Sequence, residues 1–224
     1  MSHAMSPSIP LPPLDYRQLV CGPQFADTFE EVGRGLMYML ESAGLISPQT
    51  DLLDVGCGCG RLARFLVETP VRSYTGFDRH PGMIDWCRRE IGARDARFRF
   101  DHFDVTSVYV EWDGHAGAVD AKCCAFPYPA SAFDAAFLSS VFTHMPMPEV
   151  EQYLAELARV VRPGGRVLLS VFHAEYRPGQ DGINFFHVPA ELLAAFERAE
   201  WSASRMNERL AFGWEHNWYQ LARH

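Results

Sequence analysis

Three glycines at alternate positions, Gly56, Gly58 and Gly60, follow the run Asp51-Leu52-Leu53-Asp54-Val55. A short apolar strand that breaks into such a turn and then starts a helix forms a cradle. With no Cβ to block the approach, a ligand can lie against bare backbone. The helix that follows presents unpaired N–H groups and a partial positive charge. These residue types in this order fit a nucleoside-type cofactor; the alternative is a glycine-rich turn that binds nothing. A second group for the same chemistry is Asp78, which ends the predicted strand Val71–Asp78. In doubly wound folds an acid at this point accepts hydrogen bonds from a ribose diol. A carboxylate suits two hydroxyl donors because it offers several lone pairs. Asp78 also precedes Arg79-His80-Pro81, so a helix N-cap is the competing reading; the glycine turn upstream favours the ribose.

The spacing separates cofactor classes. A dinucleotide turn needs Gly-x-Gly-x-x-Gly, and Arg61 stands where its last glycine belongs. Gly-x-Gly-x-Gly instead resembles the first motif of the class I S-adenosylmethionine-dependent methyltransferases. Further stretches resemble that family in the same order. Phe100–Val105 ends a third strand, Phe133–Met145 resembles a fourth strand with its exit loop, and Arg159–Ser170 resembles a helix end, Pro-Gly-Gly turn and fifth strand. The likeness covers about residues 50 to 172, and its bacterial small-molecule branch shares the Ser-Val-Phe-Thr-His-Met run. It implies contacts to S-adenosylmethionine, or to its product S-adenosylhomocysteine, at Asp54, Gly56, Cys57, Gly58 and Gly60. It implies further contacts at Asp78, Arg79 and Met83, at Phe103 and Asp104 around the adenine, and at Ser139 and Val141. Asp101 competes with Asp104 for the adenine amino group, and plain core packing competes for Met83.

The elements that must position these groups alternate. Phe25, Phe29, Val32, Leu36, Met37 and Leu40 recur at helical spacing and predict a helix ending near Gly44. Leu62, Phe65 and Leu66 mark the inner face of the helix after the glycines, and Pro81 suits the first turn of the next. Pro148 to Val161 and Pro189 to about Ala199 read as helices, and Trp201–Arg209 and Glu215–Leu221 as two strands flanking Gly213. The alternation predicts an α/β, Rossmann-like doubly wound fold. Its mostly parallel seven-stranded sheet would carry helices on both faces, and the resemblance implies an antiparallel C-terminal hairpin. Residues 1–23 form a proline-rich segment, extended or mobile over 5 to 22, ahead of a methyltransferase domain at 24–224. Within it, 105–132 and 173–188 are long aromatic-rich insertions that read as lids over a substrate or as surface elaboration. Met1-Ser2-His3-Ala4 is either an expression remnant or a native start.

Composition bounds the partners. At 224 residues, with 48% hydrophobic and 21% charged residues, the chain suits one globular domain. A net charge of −8 argues against a nucleic-acid partner. No apolar run has transmembrane length and no signal peptide is expected, so the expectation is a cytoplasmic monomer or homodimer with no membrane partner. The six cysteines lack zinc-finger spacing, and no metal is expected; adjacent Cys123-Cys124 as a metal or redox device is the alternative to reduced thiols.

Methyl transfer from a sulfonium is an in-line displacement on an already activated carbon. The protein must chiefly hold donor and acceptor in line. A base is needed only when the acceptor keeps a proton, and His144, just past the fourth strand, is the candidate. Its alternative is a loop cap or packing against Met145; His173 and Tyr128 are secondary candidates. Three functions are carried forward. They are a methyltransferase acting on O, N or C of a small molecule, a non-catalytic binder of the same cofactor, and a nicotinamide-dependent oxidoreductase, which Arg61 disfavours.

Overall fold

A computed structural model describes residues 9–206, 211, 212 and 214–224. Its strands in chain order are β1 (Asp51–Val55), β2 (Ser73–Asp78), β3 (Phe98–His102), β4 (Phe133–Leu138), β5 (Val161–His173), β6 (Gly179–Asp181), β7 (Asn184–His187), β8 (Trp201–Arg205), β9 (Ala211–Phe212), β10 (Trp214–Glu215) and β11 (Asn217–Arg223). The helices are α1 (Leu14–Cys21), α2 (Phe29–Ser42), α3 (Ala63–Leu66), α4 (Pro81–Cys87), α5 (Val110–Asp113), α6 (Met147–Val160) and α7 (Pro189–Arg198).

The main sheet runs β3-β2-β1-β4-β5-β11-β8. β3, β2, β1, β4 and β5 are mutually parallel, and β11 is antiparallel to both β5 and β8. This is the expected fold: a doubly wound sheet of seven strands with an antiparallel C-terminal pair. Two short strands add to it, since β7 extends β5 in parallel through Phe172 and Phe186, and β6 pairs with β7. The central strands read as nearly continuous apolar runs because both faces are covered. Alternation still sorts their side chains. Leu52, Phe137 and Leu168 pack with α2 and α4 on one face, whereas Leu53, Ala136 and Leu169 pack with α6 and α7 on the other.

Three expectations change. Within the stretch expected to be extended, Leu14–Cys21 is a helix: its prolines all precede it, and Gly22 at φ +86° ends it. The helix after the glycines shrinks to four residues, too short for the dipole role expected of it. The eighth strand stops at Arg205, where Met206 N–H still donates to the Trp218 carbonyl; Asn207–Leu210 and Gly213 lie outside the described residues, as do residues 1–8. No described helix is long and apolar enough to cross a membrane.

Candidate functional site

Strand order reverses between β1 and β4, and a cavity opens at the C-terminal ends of β1, β2 and β4, where such a switch point leaves a crevice. The glycine turn forms its floor. The N–H groups of Gly56 and Cys57 both donate to the Phe77 carbonyl, at 2.9 and 3.0 Å, which stitches the turn to the end of β2. Gly56 and Gly58 adopt φ of +70° and +53°, conformations that disfavour a side chain. A Cβ on Gly56 would lie 2.7 Å from Val141, and one on Gly58 would lie 2.9 Å from Val20 of α1. The β4 exit loop and α1 therefore close on the turn only because it is bare. Gly60 differs: its missing Cβ faces Ile91 and Cys87, away from the cavity, and it does not line the site.

Asp78 meets the turn from β2. Its Oδ2 accepts from Gly58 N–H at 2.8 Å and its Oδ1 from His80 N–H at 2.9 Å. Each oxygen keeps lone-pair capacity for a further donor. Burial raises the Asp78 pKa above its ordinary value, against the lowering effect of those two N–H groups. The helix cap at this point is His80, not Asp78: its Nδ1 accepts from Met83 N–H at 3.3 Å, and Pro81 takes the first turn. Met83 and Arg79 line the cavity beside it.

Asp54, at the end of β1, is almost wholly buried and accepts a 2.6 Å hydrogen bond from the Tyr74 hydroxyl. Burial pushes its pKa up to about 7, although the Tyr74 bond and the nearby Arg61 cation both pull it down. Arg61, also buried, reaches Cys21 Sγ on α1 at 3.5 Å.

The far wall comes from the β4 exit loop. Ser140 holds φ at +60°, a strained value for a residue with a side chain, and its N–H donates to Ser170 Oγ at 3.0 Å. Ser139 Oγ is buried on this wall with no hydrogen-bond partner among the described residues. His144 follows on a short 3-10 turn, Phe142–His144. Its Nδ1 donates to the Ile183 carbonyl at 3.1 Å, which leaves Nε2 as the lone-pair nitrogen of a neutral ring. Burial lowers its pKa to about 4, against the raising effect of the Ile183 bond. The Tyr109 ring meets His144 edge-on with centroids 5.1 Å apart.

The two insertions divide their tasks. Thr106, Ser107, Tyr109 and Asp113 line the cavity, whereas Phe126 and Tyr128 fill the core against Phe77. Arg79 fastens the first part by pairing with Asp113 and donating to the His115 carbonyl. The second insertion supplies the Ile183 carbonyl to His144, and its His187 donates through Nε2 to the Phe142 carbonyl at 3.0 Å.

The cavity thus gathers Asp54, Gly56, Cys57, Gly58, Asp78, Arg79, Met83, Ser139, Val141 and His144. Phe103 and Asp104 lie outside its lining: Phe103 packs edge-on against Phe77, and Asp104 Oδ1 is 2.5 Å from His115 Nε2. Of the secondary bases, Tyr128 donates to Asp101 at 3.3 Å and His173 pairs with Tyr219 at 3.0 Å, both away from the cavity. Sequence reasoning missed Leu19 and Val20 of α1, and it read Arg61 only as a missing glycine. Their signal was the apolar spacing after the last proline of the N-terminal run.

A family profile described as "Methyltransferase domain" matches residues 53–169. The chain is 30% identical over 142 residues to a demethylmenaquinone methyltransferase of Deinococcus radiodurans, covering 63% of this chain and 51% of that protein. It is 33% identical over 144 residues to a malonyl-[acyl-carrier protein] O-methyltransferase of Serratia marcescens, covering 64% and 45%. The chain spans about half the length of these curated relatives. Among solved structures it is similar to the 1,6-didemethyltoxoflavin-N1-methyltransferase of Burkholderia thailandensis, which holds 1,6-didemethyltoxoflavin and S-adenosylhomocysteine. That likeness has a TM-score of 0.60 and 18% identity, and covers 96% of this chain and 92% of that one. The magnesium protoporphyrin IX methyltransferase of Synechocystis, with bound S-adenosylhomocysteine, superposes at a TM-score of 0.63 with 15% identity, covering 91% and 87%. At these identities the likeness to both structures is one of fold.

Proposed function

The chain belongs to the methyltransferase-domain family, and on that premise we propose that it moves a methyl group from S-adenosylmethionine to a small-molecule acceptor. One observation carries the reading. A bare glycine turn with a carboxylate above it, and a neutral imidazole with its lone pair unspent, line one cavity.

The residues present fit the donor. Gly56 and Gly58 leave backbone open where a Cβ would intrude, Asp78 has acceptor capacity for two ribose hydroxyls, and the buried Ser139 hydroxyl, without a partner among the described residues, offers a polar contact on the same wall. Met83 and Arg79 would flank the adenine. When bound, the donor supplies a methyl group made electrophilic by its sulfonium charge.

The chain's task is then alignment and, where the acceptor carries a proton, its removal. Tyr109 and the β4 exit loop hold the acceptor, while α1, through Leu19 and Val20, and residues 105–117 cover the cavity and exclude water. His144 Nε2 takes the proton. With its pKa near 4 it is a weak base. It accepts only as the bond to carbon forms and the acceptor becomes acidic. Residues 24–224 form the catalytic domain, and α1 of the preceding segment adds a cover to it.

The acceptor is a small molecule whose reacting O, N or C is open. Nothing in the site or the relatives favours a binder without turnover. The test is a screen of small acceptors with isotopically labelled donor, run on the wild type and on Asp78→Asn. Labelled product from the wild type alone supports the reading. No product across quinol, phenol, carboxylate and amine acceptors, with S-adenosylhomocysteine bound, would favour the binder instead.

A further inference from the structure

Outside the cavity, at the end of β3, one ring nitrogen each of His102 and His115 and one carboxylate oxygen of Asp104 lie within 4.8 Å of one another. We propose that these three side chains form a site for a divalent transition-metal ion of the zinc class, which staples the cavity-covering segment to the sheet.

The chemistry of the set fits. Two imidazoles and a carboxylate suit a borderline cation such as Zn2+. At zinc distances, ligands around a tetrahedral ion sit about 3.3 Å apart. His115 Nε2 already meets Asp104 Oδ1 at 2.5 Å, and the set as a whole lies within 4.8 Å. An ion takes the place of the proton in that bond, and side-chain rotation on a partly exposed surface opens the short separation and closes the wide one. His102 also carries the outer contact expected of a metal-bound imidazole. Its Nε2–H donates to the Arg79 carbonyl at 2.9 Å, which leaves Nδ1 as the lone-pair nitrogen. The nearby Arg79 cation does not oppose the ion fully, because Asp113 pairs with it. Three protein ligands leave a fourth position for water.

The backbone is shaped to bring the third ligand back. His102 and Asp104 stand two residues apart where β3 leaves the sheet: Phe103 N–H still donates to the Asp78 carbonyl at 3.0 Å, and Val105 N–H to the Phe103 carbonyl at 2.8 Å closes a tight turn on Asp104. His115 returns from α5 through Gly114, left-handed at φ +70°. Gly117, at φ +76°, then packs so close to Val105 that a Cβ would lie 2.5 Å from its backbone. The Asp104 carbonyl accepts from both Ala118 and Val119 N–H at 2.9 Å. The loop thus folds back on the strand end, and the segment it closes is the one that carries Tyr109 and Asp113 to the cavity.

The experiment uses the full chain, stripped with a chelator and dialysed. Titration with Zn2+ alone by calorimetry gives stoichiometry and affinity, and Co2+ absorption identifies the ligand type. The expected result is one ion per chain with no sulfur-to-cobalt charge-transfer band. His102→Ala and His115→Ala should each weaken binding by at least about tenfold, whereas Cys123→Ser should not. Zn2+ should also slow proteolytic cleavage within residues 105–117 of the wild type but not of His115→Ala. His102→Ala, on the strand side, covers the case in which His115→Ala disturbs the loop by itself. Binding that survives both histidine variants, a thiolate signature, or no saturable binding below millimolar Zn2+ would each overturn the proposal. Zn2+ binding with cleavage unchanged would remove the staple.

Discussion

Asp78→Asn separates a binding role from a structural one. In the folded chain Asp78 holds Gly58 and His80 N–H groups, one on each oxygen. Asparagine keeps one acceptor oxygen, so one N–H loses its partner, at a cost of about 1–3 kcal/mol. Against this, the substitution removes a carboxylate whose pKa burial has raised. The sign follows from linkage: a folded-state pKa above the unfolded value makes the acid's contribution to stability full at low pH. That contribution is lost as pH rises through the folded-state value. At pH 7.5 the neutral amide therefore recovers part of the lost hydrogen bond, and the melting temperature should fall by no more than roughly 5 °C. Binding should suffer more. Losing one charge-assisted hydrogen bond to a ribose hydroxyl costs about 1.5–3 kcal/mol, or roughly 10- to 150-fold in affinity. Asp78→Ala removes both, so its affinity should fall by roughly 10² to 10⁴-fold, with a larger loss of stability. Calorimetric titration with S-adenosylhomocysteine, beside NAD as the control, reads the affinity, and thermal melting reads the fold. An Asp78→Asn affinity within about threefold of the wild type would refute the ribose role. A joint collapse of melting temperature and affinity would show that Asp78 only pins the turn.

Other substitutions probe the remaining walls. His144→Ala should lower kcat by roughly 10²–10⁴-fold while leaving S-adenosylhomocysteine affinity unchanged, provided the acceptor carries a proton; single-turnover rates with labelled donor check this. Because the His144 pKa lies near 4, its free base dominates above that value. The rate should then show no acid limb from this residue between pH 5.5 and 8, and a limb near 6.5 lost in His144→Ala would contradict the buried, neutral ring. Asp54, with its pKa near 7, contributes stability that is full below the ordinary carboxylate range and is lost as pH rises through 7. Asp54→Asn keeps an acceptor for the Tyr74 hydroxyl, so it should flatten that decline and melt higher than the wild type at pH 8, by thermal denaturation. Gly58→Ala puts a Cβ 2.9 Å from Val20 at a positive φ, so it should cost about 1–2 kcal/mol from backbone conformation alone and displace α1; chemical denaturation and cleavage of α1 by a protease report the two effects.

The amino-acid pattern determined the fold class and the floor of the site because both depend on local chemistry. Alternating apolar strands and helices admit few arrangements, and the glycine spacing at Gly56, Gly58 and Gly60 acts through backbone freedom that no neighbour supplies. The acid at Asp78 is tied to that turn by fold topology. Pairing distant pieces needed the tertiary structure. Leu19 and Val20 lie in a short helix after a proline run, and only packing sets them over Gly58. His144 was legible as a candidate, but its neutral state comes from burial and its tautomer from the Ile183 carbonyl, supplied by an insertion whose path local pattern does not encode. Asp104 carried the expected polar group, yet its direction was decided by His115, returned to it by the turns at Gly114 and Gly117. Gly60 followed the spacing of its two partners but faces Ile91 and Cys87, because a turn reverses side-chain direction within a few residues. Sequence determined which groups are present and which elements carry them; long-range packing decided which way they face and what they meet.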